Sequence, residues 1–222
     1  MEDSTMSNIT GNEDINLAVS IACSICWDET HGYTFGGEMD PDTDCSGLVW
    51  YALHNAGFDV GSSRWDTSTM MQTLRAYGNF TEFRYTSGFQ LAHGDICVHR
   101  ETGHGHACMI GENVLAYTAN VNNYSQITMS GYPDTTGIVP LAKIEAYSPR
   151  GHAEAGDQAN DMGAHCEVFV HAFEGLTSRY DWRVFRWGGG PTPPGQRLPT
   201  WMLFKMKEGV NNGNVRVTIP KR

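Results

Sequence analysis

The stretch from Asp42 to Gly57, DTDCSGLVWYALHNAG, places a cysteine, Cys45, behind an acidic loop and at the head of a run with helical spacing. A thiol in that position has a chemical use. The first turn of a helix presents unpaired N–H groups and a partial positive charge. Both favour thiolate over thiol, and the thiolate is the nucleophile. A nucleophilic cysteine also needs a base, usually histidine, and a third group that orients the base. The run HRETGHGHACMIG, starting at His99, supplies three candidates: His99, His104 and His106.

Other groupings of reactive residues have plainer readings. Cys23 and Cys26 form a CxxC, the spacing of a redox pair or half a zinc site. They fall inside a helical pattern at core spacing, and no second CxxC follows at ribbon spacing. His93, Cys97, His99, His104, His106 and Cys108 are dense enough to raise a zinc site, and alternation puts Cys97 and His99 on one strand face. No acidic general base accompanies them, and a zinc site would leave the Cys45 stretch unexplained. The expectation is no metal and no cofactor.

YTFGG at 33–37 followed by DCSGLV at 44–49 resembles the paired signature of the NlpC-type cysteine peptidases. These are bacterial and phage peptidoglycan hydrolases of compact papain-like fold. HGDICVHR and then GHACMIGENVLAY resemble their second block, a Gly-Asp pair opening a strand and a histidine starting the next. AGDQANDMGAHCEVFVHAFE, with Trp182 and VFRW after it, is similar to the closing segment of phage-encoded peptidoglycan amidohydrolases in that group. The resemblance spans residues 14–187.

It implies an α+β fold of the papain-like NlpC type, with N-terminal helices packed on a central antiparallel β-sheet. It implies Cys45 as nucleophile and His106 as base, with His104 the alternative because it too follows a glycine. Tyr33 would help polarise the substrate carbonyl, Asp44 and Ser46 would bind substrate beside the thiol, and backbone N–H groups at the helix start would hold the oxyanion. The family's third catalytic residue is polar and lies on the strand after the base. That strand is read here as NVLAYTAN, where the family's polar step falls on Leu115 and Ala116. Ala116, Thr118 and Asn120 share a face. Asn120 is the first choice of orienting residue and Thr118 the second. The implied reaction is hydrolysis of an amide in peptidoglycan, in the stem peptide or at the muramoyl-L-alanine linkage, through an acyl-enzyme. Ala116 keeps a second reading open: a wall-binding or virion structural module on the same fold, with impaired catalysis.

These residues need elements to position them. Helical spacing predicts helices from Asp14 to Trp27, from Cys45 to Ala56, and over DTSTMMQTLRAYG, the last capped by Thr67 or Ser68. After residue 80 the pattern turns to short apolar strands, GDICVHR, HACMIG, NVLAYTAN, GIVPLAKIEAY read as a strand pair, CEVFVHAFE and DWRVFRW. Helices first and strands later predict an α+β domain.

The chain has 222 residues and a net charge of -10 with no basic cluster, which argues against nucleic acid as a partner. No apolar run approaches the roughly 20 residues that span a membrane. The acidic, polar start has no signal-peptide pattern, so the chain is expected to be made in the cytoplasm and to act on the cell wall as a phage lysis protein or virion component. Residues 1–12 read as disordered, 13–187 as the catalytic domain, 188–196 (GGGPTPPGQ) as a linker, and 197–222 as a short hairpin or docking segment for a wall or virion partner. A chain ending at Trp187 should still cleave soluble muropeptides and lose at most lysis of whole cells. Loss of soluble cleavage by that shortened, folded chain would place part of the active site in the tail.

Overall fold

The computed structural model describes residues 13–26, 31–37, 39, 42–101, 104–117, 136–147, 167–173 and 175–188. Residues 1–12, the tail from 189 onward, the polar loop after Tyr147, and Thr118 and Asn120 lie outside these described residues. Among the described residues three helices come first, α1 (Ile15–Cys26), α2 (Cys45–Asn55) and α3 (Thr67–Ala76). Six strands follow, β1 (Phe80–Arg84), β2 (Ile96–Glu101), β3 (His104–Tyr117), β4 (Thr136–Tyr147), β5 (Glu167–Ala172) and β6 (Arg183–Trp187). They form one sheet in the order β1-β6-β2-β3-β4-β5, antiparallel throughout except for a single parallel pairing of Tyr117 with His171. The architecture is the α+β, papain-like arrangement that the resemblance implies.

The helices cover one face. α1 is apolar nearly all round, and its buried residues include Cys23 and Cys26, as suits a helix enclosed between neighbours. α2 contributes Leu48, Val49, Ala52 and Leu53 to the same core, against Val98, Ala107, Met109 and Ile144 of the sheet. Asp66 caps α3, accepting from Thr69 N at 2.6 Å, so the cap lies one residue before the Thr67 or Ser68 expected from sequence. The opposite face of the sheet is covered by a smaller cluster of Cys97, Cys108, Ile110, Leu176, Trp182 and Val184.

Two strands differ from expectation. GIVPLAKIEAY is one strand rather than two, and NVLAY is the far half of β3 rather than a strand of its own. The reason lies at Asn113, whose φ is 51°. Before it, Ala107 and Met109 face the main core; after it, Val114 and Ala116 do. A left-handed residue shifts the phase of the alternation without ending the strand, and Asn tolerates that conformation.

The Gly-Asp pair ahead of β2 has a structural task. Asp95 is fully buried and takes Arg186 of β6 in a bidentate pair, Nε to Oδ1 at 2.8 Å and a terminal nitrogen to Oδ2 at 2.7 Å. Its Oδ2 also accepts from Ala92 N at 2.8 Å. Removing one partner of a buried pair leaves the other charge uncompensated. Arg186→Ala, which leaves the fully buried Asp95 carboxylate without this partner, should therefore lower the unfolding free energy by about 3 kcal/mol in urea titration, whereas Arg84→Ala at the exposed pair with Asp181 should change it by less than about 1 kcal/mol.

Candidate active site

Helix α2 starts from a closed loop. Tyr33 bridges Thr43, Thr34 N donates to Thr43 O at 3.0 Å, and Gly37 N donates to Thr34 O at 2.8 Å. Asp44 is the N-cap of α2. Its Oδ1 accepts from Gly47 N at 2.7 Å and from the Ser46 hydroxyl at 2.9 Å. Its Oδ2 accepts from Gly36 N at 3.0 Å and from the Arg64 guanidinium. The loop lies so close to the helix that a Cβ at Gly47 would sit 2.5 Å from Thr43 Oγ1 and 3.1 Å from Gly37 O, which is why the helix opens Cys-Ser-Gly.

Asp44 and Ser46 are buried, and their hydrogen bonds serve this loop; Ser46 Oγ also reaches Trp65 O at 2.8 Å. Tyr33 is buried in the main core. All three residues build the start of α2.

Cys45 is the first residue of α2 and is 7% exposed. Burial pushes its thiol up to about 12, and the neighbouring Asp44 carboxylate acts in the same direction. Backbone N–H groups of Ala107 and Ser46 donate to the sulfur and pull the other way, without offsetting the loss of water. The lowered thiol expected at a helix start is therefore not what the resting site holds. Desolvation and a capping carboxylate outweigh the helix end, and Cys45 rests as a neutral thiol.

The contact with Ala107 locates the site within the sheet. β3 pairs with β4 from Tyr117↔Thr136 only as far as Met109↔Ile144. Beyond that pair β3 stays on β2, through His99↔His106 and Glu101↔His104, while β4 stays on β5, through Glu145↔Phe169. A notch opens between them. At the notch the N–H of Ala107 meets the Cys45 sulfur, and the N–H of Glu145 meets the Cys26 sulfur.

His106 and Glu145 flank the notch. His106 Nε2 lies 2.7 Å from Glu145 Oε2, and Glu145 Oε1 lies 3.0 Å from Lys143 Nζ. Glu145 is 1% exposed. Alternation sends the His106 ring to the face opposite the helices, beside His99 and the edge of Trp182, with ring centroids 6.3 and 6.2 Å away. Cys45 enters from the helix side. The Glu145 carboxylate adds a small further upward push on the Cys45 thiol, while its two oxygens meet His106 and Lys143.

The remaining sequence candidates have separate places. His104 opens β3 opposite Glu101. Between the two histidines, Gly105 takes the start of α3: a Cβ there would lie 2.1 Å from Thr67 Oγ1. His99 stacks on Tyr180 at 4.1 Å. Cys97 and Cys108 face each other across β2 and β3 in the far cluster. His93 Nδ1 accepts from Glu112 N at 3.0 Å in the turn before β2. Among the described residues, no three His, Cys, Asp or Glu side chains converge as metal ligands. No described helix is long and apolar enough to cross a membrane.

Glu145 and Lys143 were missed in the sequence. Their signal was the alternation of LAKIEAY, which puts two opposite charges on one face of an apolar strand. Residues 30–133 match the model of the NlpC/P60 family. That stretch includes Cys45 and His106, and Glu145 lies beyond it. No curated protein matches the chain.

Burial raises the thiols of Cys23 and Cys45 to about 12, and those of Cys26 and Cys97 well above their ordinary value. An unfolded thiol ionises near pH 8.5. Above about pH 8.5 the unfolded chain therefore sheds protons that the folded chain keeps, and folding stability falls as pH rises toward about 12. Urea midpoints should drop steadily across that window. The folded protein near neutral pH should react with iodoacetamide far more slowly than free cysteine; fast labelling of Cys45 would contradict a neutral buried thiol.

Proposed function

On the match of residues 30–133 to the NlpC/P60 family, we propose that the chain is a member of that family and a cysteine peptidase or amidase that cuts an amide bond in bacterial peptidoglycan. The observation that carries this reading is the His106–Glu145 hydrogen bond at the sheet opening that also receives the Cys45 thiol. In this reading Cys45 is the nucleophile, His106 the base and Glu145 the orienting carboxylate.

Glu145 engages Nε2 of His106, which gives proton exchange with the thiol to Nδ1. Because Cys45 rests protonated, its proton leaves as the sulfur attacks the carbonyl, with His106 as general base rather than as a preformed ion-pair partner. The carbonyl oxygen gathers negative charge at the start of α2, where the backbone N–H of Cys45 and the helix end favour it. His106 returns the proton to the leaving amine, and water then releases the acyl group from Cys45 along the reverse route.

The alternative, a wall-binding or virion module with impaired catalysis, rests on Ala116 at the expected third position. Ala116 is a core residue of β3, and Glu145 takes the orienting role in this reading. A phage lysis or virion setting is an expectation from the sequence and no part of this reading.

Mass spectrometry of purified peptidoglycan after digestion tests the reading and names the bond. Cys45→Ala should release no fragments, and His106→Ala should lose far more activity than His104→Ala. Glu145→Gln should lower kcat about 100-fold or more, while Asn120→Ala retains activity. Undiminished cleavage by Cys45→Ala would end the cysteine-hydrolase reading, and an undiminished Glu145→Gln would return the third role to Asn120 or Thr118.

A further inference from the structure

Lys143 has no part in the chemistry above, yet its Nζ lies 3.0 Å from Glu145 Oε1, on the oxygen opposite the one that holds His106. Both ends of this chain are largely buried; the Lys143 side chain is 17% exposed and that of Glu145 1%. A carboxylate this deep has a large effect on its neighbours because little water screens it. Alone beside an imidazole, it would favour the imidazolium strongly. A base fixed as imidazolium cannot take a proton from a neutral thiol.

An ammonium on the second oxygen opposes that effect. It provides a permanent partner for the carboxylate whichever charge state His106 is in, and it repels a proton on the imidazole. Resting on the proposed roles of Cys45 and His106, we propose that Lys143 is a positioning residue that fixes Glu145 as a carboxylate and offsets its pull on the imidazole proton, so that His106 is neutral when substrate arrives. Among the described residues, the other titratable groups around this chain are the thiols of Cys45 from α2 and Cys26 from α1, Cys97 and His99 from β2, and Cys108 from β3, with His171 of β5 opposite Lys143 in register. None of them supplies a positive charge that stands at all working pH values. Lys143 lies two residues before Glu145 on β4, so alternation puts the ammonium on the same face of the sheet as the carboxylate it pairs with.

The test uses Lys143→Gln, which keeps a donor for Glu145 and removes the charge, with Lys143→Arg as the conservative control. Two readouts apply. In the otherwise wild-type chain, Lys143→Gln should move the acidic limb of the pH–rate profile upward by about one unit. Activity should be lost near neutral pH and largely recovered at higher pH, while KM changes little. Lys143→Arg should keep the original limb. In a Cys45→Ala background, NMR titration of the His106 ring should show its midpoint rising by a similar amount in Lys143→Gln. This second readout needs no turnover, so it stands apart from whether the chain cuts peptidoglycan. An unmoved or lowered midpoint in a folded Lys143→Gln protein overturns the proposal, as does a pH-independent loss of activity. Cleavage that persists without Cys45 would instead overturn the catalytic reading.

Discussion

Backbone N–H groups buried in a protein need partners. Where β3 and β4 part after Met109↔Ile144, the ladder no longer provides them, and the sulfur atoms of Cys45 and Cys26 accept in its place. The rest of the site follows from this opening. It lets a residue on a helix reach the sheet from one side while a histidine and a glutamate approach from the other. A continuous ladder would leave thiol and imidazole separated by a sheet. The strands can diverge because each keeps its outer neighbour, β2 for β3 and β5 for β4.

The opening is held by contacts some distance from it. Asp44 anchors the loop ahead of α2 and so sets how far Cys45 projects. Gly105 allows α3 to lie against β3 just before His106. On the far face, Trp182 donates to Thr177 O at 3.1 Å and stands edge-on to both His99 and His106. The Asp95–Arg186 pair ties the start of β2 to β6, which carries this far-face cluster.

Much of this was legible in the sequence because it is local. The helix around Cys45, its acidic cap, the Gly-rich loop and the alternation of HACMIG each follow from residues within a few positions of one another. The identity of the α3 cap differed by one residue because Asp66, Thr67 and Ser68 are all competent caps, and propensity alone does not separate them. The thiol's ionisation was misjudged for a different reason. Proximity to a helix end is readable from sequence, but the exclusion of water is a property of the whole fold. The resemblance implies a third position on the strand after the base, and the sequence reads HACMIG and NVLAYTAN as separate strands. At Asn113 the chain takes a left-handed step and continues as the same strand, which makes β4 the neighbour that reaches His106.

Sulfur is a large and weak acceptor, and the notch is shaped around two such atoms. An inactive variant meant to trap substrate therefore alters the scaffold as well as the chemistry. Serine in place of Cys45 carries a smaller, stronger acceptor and would draw α2 toward Ala107. Alanine leaves the Ala107 N–H without its acceptor, which costs on the order of 1–3 kcal/mol when no water replaces it. The two substitutions bracket the native opening from either side. A complex captured with one alone would show a ligand in a cleft narrower, or looser, than the native chain presents.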